Sequence, residues 1–406
     1  MIIDNFCTLE KNSLKRFCAD IHWENAKQKD RTIFFEINAE AVEPLSINPH
    51  SFLIAGIIPA MYFGETRLRI AAKICPRLVQ GLKENMGWFQ RWYGSQYHSV
   101  DIQADGFDLS TPLSSEGRVG LMFSGGVDSL YTLWTNRKYY PLGHEESIKE
   151  GFLVYGFDMG TKEEGGYDLD VFERSVEAAR AVAKEAGFNL IPVYTNIRHI
   201  NSALDFWTQW YYGAALSAVG HVFSGRTSKL WIAPDLDKFD IVPWGSHPLI
   251  TPNYGSVHLR IKYDYLVPRM EKIKQMAGWD VALRHLRVCV HHPKGGLNCG
   301  KCEKCIRTML MLLVSGKLKE AKSFPAQDVS AQMLGRIKFT SRKNFRSVYY
   351  YDLIEPLCSI GRSDLARVIK QELGWKGEIR RVDQKYLKGL FTNTWSMIRK
   401  KVITKS

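Results

Sequence analysis

The chain has 406 residues, of which 45% are hydrophobic and 24% are charged, and its formal net charge is +13. This balance is typical of a folded globular protein and excludes a fibrous or wholly disordered chain. No apolar run approaches the roughly 18 residues that a membrane span needs, and the N-terminal pattern is not that of a signal peptide. The sequence therefore predicts a cytoplasmic protein with no membrane partner.

Residues 1–115 are predicted to form a β-rich accessory domain. The segments RTIFFEINA and RLRIAAKIC are rich in β-branched and aromatic residues, which favours strands, whereas HSFLIAGIIPAMYFG favours a buried helix. The stretch from Ser110 to Gly117 is rich in Ser, Pro and Gly, as is typical of a linker. We therefore place a domain boundary there.

From residue 118 the sequence alternates short apolar strands with longer helical segments. The predicted strands are VGLMF, GFLVYGFDM, NLIPVYTNI and SKLWIAP. This alternation predicts an α/β fold with a doubly wound parallel sheet, which we assign to residues 118–315. After about residue 235 the pattern predicts an irregular segment and then helices. Ligands in such sheets bind beyond the carboxyl ends of the strands, where the loop after VGLMF lies.

That loop predicts a phosphate site. Its two glycines allow the backbone to approach an anion closely, and the following helix presents its positive end. The serines add hydroxyl donors, while the aspartate can cap the helix or help to hold Mg²⁺. The alternative is a tight strand-to-helix turn with a serine cap. The predicted nucleotide-binding residues are Ser124, Gly125, Gly126, Val127, Asp128, Ser129 and, after the second strand, Asp158.

The motif Ser-Gly-Gly-Val-Asp-Ser at 124–129 matches neither G-x-x-x-x-G-K-[ST] nor G-x-G-x-x-G. It resembles the motif of the PP-loop ATP pyrophosphatase superfamily, which has a HUP-like fold. The resemblance implies that ATP is cleaved between its α and β phosphates and that the loop holds the leaving pyrophosphate. An adenylated substrate would be the intermediate. Asp128 and Ser129 are the predicted catalytic residues.

Four of the eight cysteines lie within the 17 residues 289–305. The spacing C-x9-C-x2-C-x2-C suits a closed, structural zinc site. An iron–sulfur cluster is the main alternative, although the ferredoxin pattern continues differently after its third cysteine. Unligated buried thiols are a second alternative. The predicted zinc ligands are Cys289, Cys299, Cys302 and Cys305.

The loop SGGVDS together with the segment CGKCEKCIR and its upstream cysteine resembles the 7-cyano-7-deazaguanine synthase (QueC) family, over about residues 118–310. The resemblance implies an AMP-forming C–N ligase. It would adenylate a carboxylate, with 7-carboxy-7-deazaguanine as the expected candidate, and then join it to ammonia or to an amine of a small molecule or protein. Relatives with appended domains are encoded in bacterial antiviral defence systems, which is the expected context.

The chain departs from that family where the substrate is expected. The family segment typified by DYSGYPDCR is replaced by DLDKFDIVPWGSHPLITPNYGS, so we expect a changed acceptor pocket. Its predicted residues are Ser246, His247 and Arg260, and the alternative is an ordered loop packed on the zinc knuckle.

Residues 316–406 are predicted to form a basic helical region, since residues 331–406 hold 17 Lys and Arg against 6 Asp and Glu. Such a surface suits an acidic partner such as tRNA, or is simply solvated. A tRNA-thiolating PP-loop enzyme and a non-catalytic nucleotide-binding scaffold stay open as alternative functions. The expected cofactors and partners are ATP, Mg²⁺, Zn²⁺, a carboxylate-bearing deazapurine, a protein or tRNA acceptor, and a second copy of the chain in a homodimer.

Overall fold

A computed structural model describes residues 1–38, 45–110, 117–159, 169–235, 241–291, 293, 295–337 and 348–374. The chain divides into two compact units, Met1–Pro268 and Arg269–Ser406. The predicted boundary near residue 115 lies inside the first unit, and the observed division lies inside the predicted 118–315 domain. Most of the predicted linker, and residues 338–347 and 375–406 of the predicted basic region, lie outside the described residues.

In its described residues, the N-terminal part of the first unit contains five strands and two helices. Strand β3 and helix α1 coincide with RTIFFEINA and HSFLIAGIIPAMYFG. Helix α1 is buried along most of its length, and Asn48 caps it by accepting a hydrogen bond from the His50 amide. The elements are β1 (Ile2–Lys11), β2 (Leu14–His22), β3 (Arg31–Asn38), α1 (Pro49–Tyr62), β4 (Arg67–Ile74), α2 (Pro76–Tyr93) and β5 (Asp101–Phe107).

The rest of the first unit alternates strands and helices, as the sequence predicts. The last strand lies within the segment predicted to be irregular, because its four residues are too few to give a periodic signal. The elements are β6 (Arg118–Met122), α3 (Val127–Tyr139), β7 (Ile148–Tyr155), α4 (Leu169–Ala186), β8 (Asn189–Thr195), α5 (Leu204–Phe206), a π-helical stretch (Trp207–Tyr211), α6 (Tyr212–Val222), β9 (Thr227–Ile232) and β10 (Arg260–Tyr263).

These strands form one sheet in the order β10-β9-β6-β7-β8-β3-β2-β1-β4-β5. The five strands from β10 to β8 are parallel. Strand β3 pairs antiparallel with β8, with Phe35 opposite Thr195, so the N-terminal strands continue the same sheet. The architecture is therefore α/β with a large, mostly parallel central sheet. The pairings also make β4 and β5 run opposite to β6.

A buried carboxylate ties the parallel strands together. Glu150 on β7 is fully buried and accepts hydrogen bonds from Arg118 at 3.0 Å, from the Thr227 hydroxyl at 2.9 Å and from Arg226. Arg118 begins β6 and Thr227 begins β9. This network lies near the amino ends of these two strands, and Arg226 contributes to it.

The second unit is helical in its described residues. Near the start of α9, the Tyr350 hydroxyl donates to Glu303 at 3.0 Å, and Arg307 lies 4.7 Å from the centroid of the Tyr349 ring. Among the described residues, no helix is both long and apolar enough to span a bilayer. The helices are α7 (Arg269–Met276), α8 (Asp280–His285), α9 (Glu303–Val314), α10 (Ala331–Gly335), α11 (Val348–Ser359) and α12 (Ser363–Leu373).

Candidate functional site

The loop between β6 and α3 is shaped by its own serines and glycines. Gly125 has a φ of +70°, a conformation that glycine adopts without a steric penalty. The buried Ser129 hydroxyl accepts a hydrogen bond from the Ser124 amide at 3.3 Å and lies 3.2 Å from the Ser124 hydroxyl. The Ser124 hydroxyl in turn accepts from the Gly126 amide at 3.2 Å. Both serines therefore hold the loop in its conformation.

Helix α3 presents its positive end at this loop. Gly126 is the N-cap residue, and the 13-residue helix begins at Val127 with Asp128 in its first turn. The first amides of a helix have no acceptor within it, and the helix dipole favours an anion at this end. The geometry is that of a small oxyanion site, so the loop can hold a phosphate group.

The loop lies where the strand order reverses. Chain order runs from β6 outward to β7 and β8 on one side, and then to β9 and β10 on the other. In parallel α/β sheets, the crevice at the carboxyl ends of the strands beside such a reversal is where ligands bind. The segments that follow β6 and β9 flank this crevice.

Asp235, which no sequence motif indicated, follows β9 at this crevice. Its carboxylate accepts hydrogen bonds from the Trp244 indole at 2.9 Å and from the Tyr212 hydroxyl. Desolvation raises the pKa of Asp235, and the negative charge of Asp128 raises it further. The two carboxylates are therefore close enough to repel each other.

Ser246 borders the same group of residues. Its backbone carbonyl accepts a hydrogen bond from the Tyr263 hydroxyl at 3.3 Å, and its own hydroxyl is buried 3.4 Å from that of Thr251. Burial raises the pKa of Tyr263, and the charges of Asp235 and Asp128 contribute. The structure thus brings Ser246 near the predicted nucleotide site.

The other two predicted pocket residues have different surroundings. His247 is buried, its ring contacts Trp92 with centroids 4.9 Å apart, and its Nδ1 accepts from the Leu249 amide at 3.1 Å. These are the contacts of an ordered structural loop. Arg260 is exposed at the amino end of β10, three residues or about 10 Å from the carboxyl end.

Asp158 is exposed in the bend after β7, at the same edge of the sheet as the loop. Its charge acts on Arg198, which lies in the turn after β8. Burial lowers the pKa of Arg198, and its guanidinium lies 4.4 Å from the centroid of the Trp207 ring. Its buried Nη1 has no hydrogen-bond partner in the part of the chain that the structure describes. An arginine with such a donor suits a phosphate, although no sequence pattern indicated this residue.

In the second unit the four predicted zinc ligands lie together. The sulfur atoms of Cys289 and Cys302 are 4.0 Å apart, those of Cys299 and Cys305 are 3.9 Å apart, and all four lie within 4.8 Å of one another. Zinc–sulfur bonds of about 2.3 Å in a tetrahedron place the sulfurs about 3.8 Å apart. The Cys305 thiol beside Cys302 lowers the pKa of Cys302 to about 4. The donor set and its spacing fit a single zinc ion.

Asn298 holds the cysteine cluster in place. Its buried side-chain oxygen accepts from the amides of Val288 at 2.8 Å and Cys289 at 3.2 Å. Its amide group donates to the carbonyls of Leu286 at 2.8 Å and Ser323 at 2.9 Å. One side chain thus joins three segments around the cluster, and it would orient the ligands before a metal binds.

No family model, curated protein or solved structure matches this chain significantly. A function for this chain is therefore inferred from the geometry of the loop, the two carboxylates and the cysteine cluster.

Proposed function

We propose that this protein is an AMP-forming ligase that binds ATP at residues 124–129 and adenylates a carboxylate. The proposal includes a doubly wound, HUP-like PP-loop fold for the parallel strands β6 to β10. The observation that carries it is the Ser-Gly-Gly-Val-Asp-Ser loop at the reversal of strand order, with the buried carboxylate of Asp235 following the neighbouring strand β9.

In the proposed reaction, the loop amides and the N-terminus of α3 hold the β and γ phosphates, and Arg198 donates to a phosphate oxygen. Asp128 and Asp235 would hold Mg²⁺, which neutralises phosphate charge. A substrate carboxylate oxygen attacks the α phosphorus as the bond to the β-phosphate oxygen breaks, which releases pyrophosphate. A nitrogen nucleophile then attacks the acyl carbon and releases AMP. The protein's contribution is mainly positioning and electrostatic stabilisation.

The acceptor side of the proposal follows the resemblance to the 7-cyano-7-deazaguanine synthase family. The carboxylate would be 7-carboxy-7-deazaguanine or a related deazapurine, and the nucleophile would be ammonia or an amine. Zinc at the four cysteines would be structural, because a closed four-thiolate site leaves no position for substrate. A bacterial antiviral defence system is the proposed setting.

The test is to incubate the protein with ATP, Mg²⁺, 7-carboxy-7-deazaguanine and ammonium, and to measure AMP and pyrophosphate. Asp128→Asn is expected to lower kcat/KM by about 100-fold or more, because it removes one of the two carboxylates that would hold Mg²⁺ at the phosphates. Asp170→Asn is the matched control, since Asp170 is an exposed acidic residue in the first turn of α4, and its activity should be unchanged. Absence of AMP with every amine tested would refute the ligase and leave the nucleotide-binding scaffold.

The cysteine geometry disfavours the thiolation alternative. Thiols within 4.8 Å of one another can surround one ion, whereas the cysteines of an iron–sulfur cluster bind different irons. Metal analysis separates the two, since the ligase proposal expects a colourless protein with about one zinc per chain. A brown protein containing iron and sulfide would favour thiolation instead.

A further inference from the structure

The first unit contains a cavity of about 350 Å³ at the edge of the sheet opposite the 124–129 loop. It lies between the start of α1, the carboxyl ends of β4 and β5, and the residues that precede β9 and β10. Because β4 and β5 run opposite to β6, their carboxyl ends lie on the same side of the sheet as the amino ends of β9 and β10. The polar lining residues used below are His50, Lys73, Asp108, Ser110 and His258.

His50 supplies a buried donor at this cavity. Its Nε2 accepts a hydrogen bond from the Cys75 amide at 3.0 Å, and burial lowers the pKa of His50 to about 4. The ring is therefore neutral at pH 7, with its proton on Nδ1. His50 is only 3% exposed, and Nδ1 has no hydrogen-bond partner among the described residues. A buried donor without an acceptor is unfavourable, and a ligand that accepts from it removes that cost.

His258 is the second histidine that lines the cavity. The Ser110 hydroxyl donates its single proton to Asp108 at 2.6 Å, so its contact with His258 Nε2 at 3.1 Å requires the histidine to donate. Nδ1 of His258 is also buried without a hydrogen-bond partner among the described residues. Ser110 and Asp108 both face Nε2, which is not the arrangement that activates a serine nucleophile.

The cavity also holds charges of both signs. Asp108 is ionised, because the hydrogen bonds from Ser110 lower the pKa of its carboxyl. The exposed Lys73 lines the cavity and carries a positive charge, and the 14-residue helix α1 begins there with its positive end. Leu45 and Val222 form part of an apolar wall. A simple anion would be repelled by Asp108 and a simple cation by Lys73. The complementary ligand carries both charges next to an apolar group.

We propose that this cavity binds a small zwitterion, an α-amino acid with an aliphatic side chain. Its carboxylate pairs with Lys73 and accepts from His50 Nδ1, and its ammonium group pairs with Asp108. The volume is at the lower end of the range for small-molecule sites, which suits a molecule of this size. The site lies away from the 124–129 loop, and it does not rest on the proposed ligase activity.

The test is calorimetric titration of the full chain with L-leucine, with 4-methylpentanoate, which lacks the ammonium group, and with 3-methylbutylamine, which lacks the carboxylate. Leucine should bind at least about 10-fold more tightly than either analogue, because each analogue loses one charge pair. Lys73→Met and Asp108→Asn should each weaken leucine binding by a similar factor. Lys83→Met, an exposed lysine on α2 outside the cavity, should leave it unchanged.

His50→Gln tests the buried donor separately, since glutamine retains an acceptor for the Cys75 amide but removes Nδ1–H. It should weaken leucine binding while the circular dichroism spectrum stays that of the wild type. The proposal is overturned if leucine shows no saturable binding below about 10 mM. Equal affinity for either analogue, or leucine affinity unaffected by Lys73→Met and Asp108→Asn, would also overturn it.

Discussion

Replacing Glu150 by Gln is expected to destabilise the first unit by about 3–5 kcal/mol. Glutamine keeps the shape of the side chain but removes the charge that three donors share. A hydrogen bond to a charged group contributes about 1.5–3 kcal/mol to stability, whereas one between neutral groups contributes about 0.5–1.5 kcal/mol. The two bonds from Thr227 and Arg226 should therefore lose about 2–3 kcal/mol of stabilisation together. The Arg226 side chain is only 16% exposed, and the cost of leaving its charge uncompensated accounts for the rest of the expected destabilisation.

The assay is urea unfolding followed by circular dichroism, with the free energy extrapolated to water. Arg118→Gln is the matched control, because that side chain is 52% exposed and its ion pair contributes about 1 kcal/mol or less. The double variant with Arg226→Met should be less destabilised than the sum of the two single variants, because no buried charge is left unpaired. A cost below about 1 kcal/mol for Glu150→Gln, or an equal cost for Arg118→Gln, would refute this account.

Three further substitutions test other features. In Gly213→Ala, the new Cβ would lie 2.3 Å from the Gly245 backbone oxygen, so we expect a loss of about 1–3 kcal/mol in urea unfolding, and unchanged stability would contradict the close packing. The pKa of Asp235 is raised in the folded state, so the protonated carboxyl stabilises the fold. This contribution is complete below the ordinary carboxyl pKa and is lost as pH rises through the raised pKa. The stability of Asp235→Asn relative to wild type should therefore increase from about pH 4 upward, and a pH-independent difference would argue against the shift. Cys302→Ser should lower the zinc content measured by mass spectrometry from about one per chain to near zero, and full retention would exclude this ligand set.

Local patterns in the sequence are sufficient to predict much of this structure. The apolar segments after residue 118 form strands, the loop at 124–126 joins a strand to a helix, and the four cysteines lie together. Each of these features depends on neighbours that are close in the sequence.

Features that depend on non-local pairing were not predictable. The β3–β8 pairing brings together Phe35 and Thr195, 160 residues apart in the sequence, and no periodicity reports it. Asp235 and Arg198 acquire their positions from the strand order rather than from a motif. Arg260 was predicted in the pocket because of its neighbours in the sequence. It is the first residue of β10, so its distance from the carboxyl end of that strand depends on the direction of β10 in the sheet.

The antiparallel pairing of β3 with β8 has a consequence for modularity. A chain that began at residue 118 would retain the loop and both carboxylates but would leave β8 as an open edge, with its amides and carbonyls available to other chains. Unprotected edges of this kind promote self-association. The first 107 residues thus act as a covalent cover for the parallel strands, so they cannot be gained or lost as an independent module without exposing that edge.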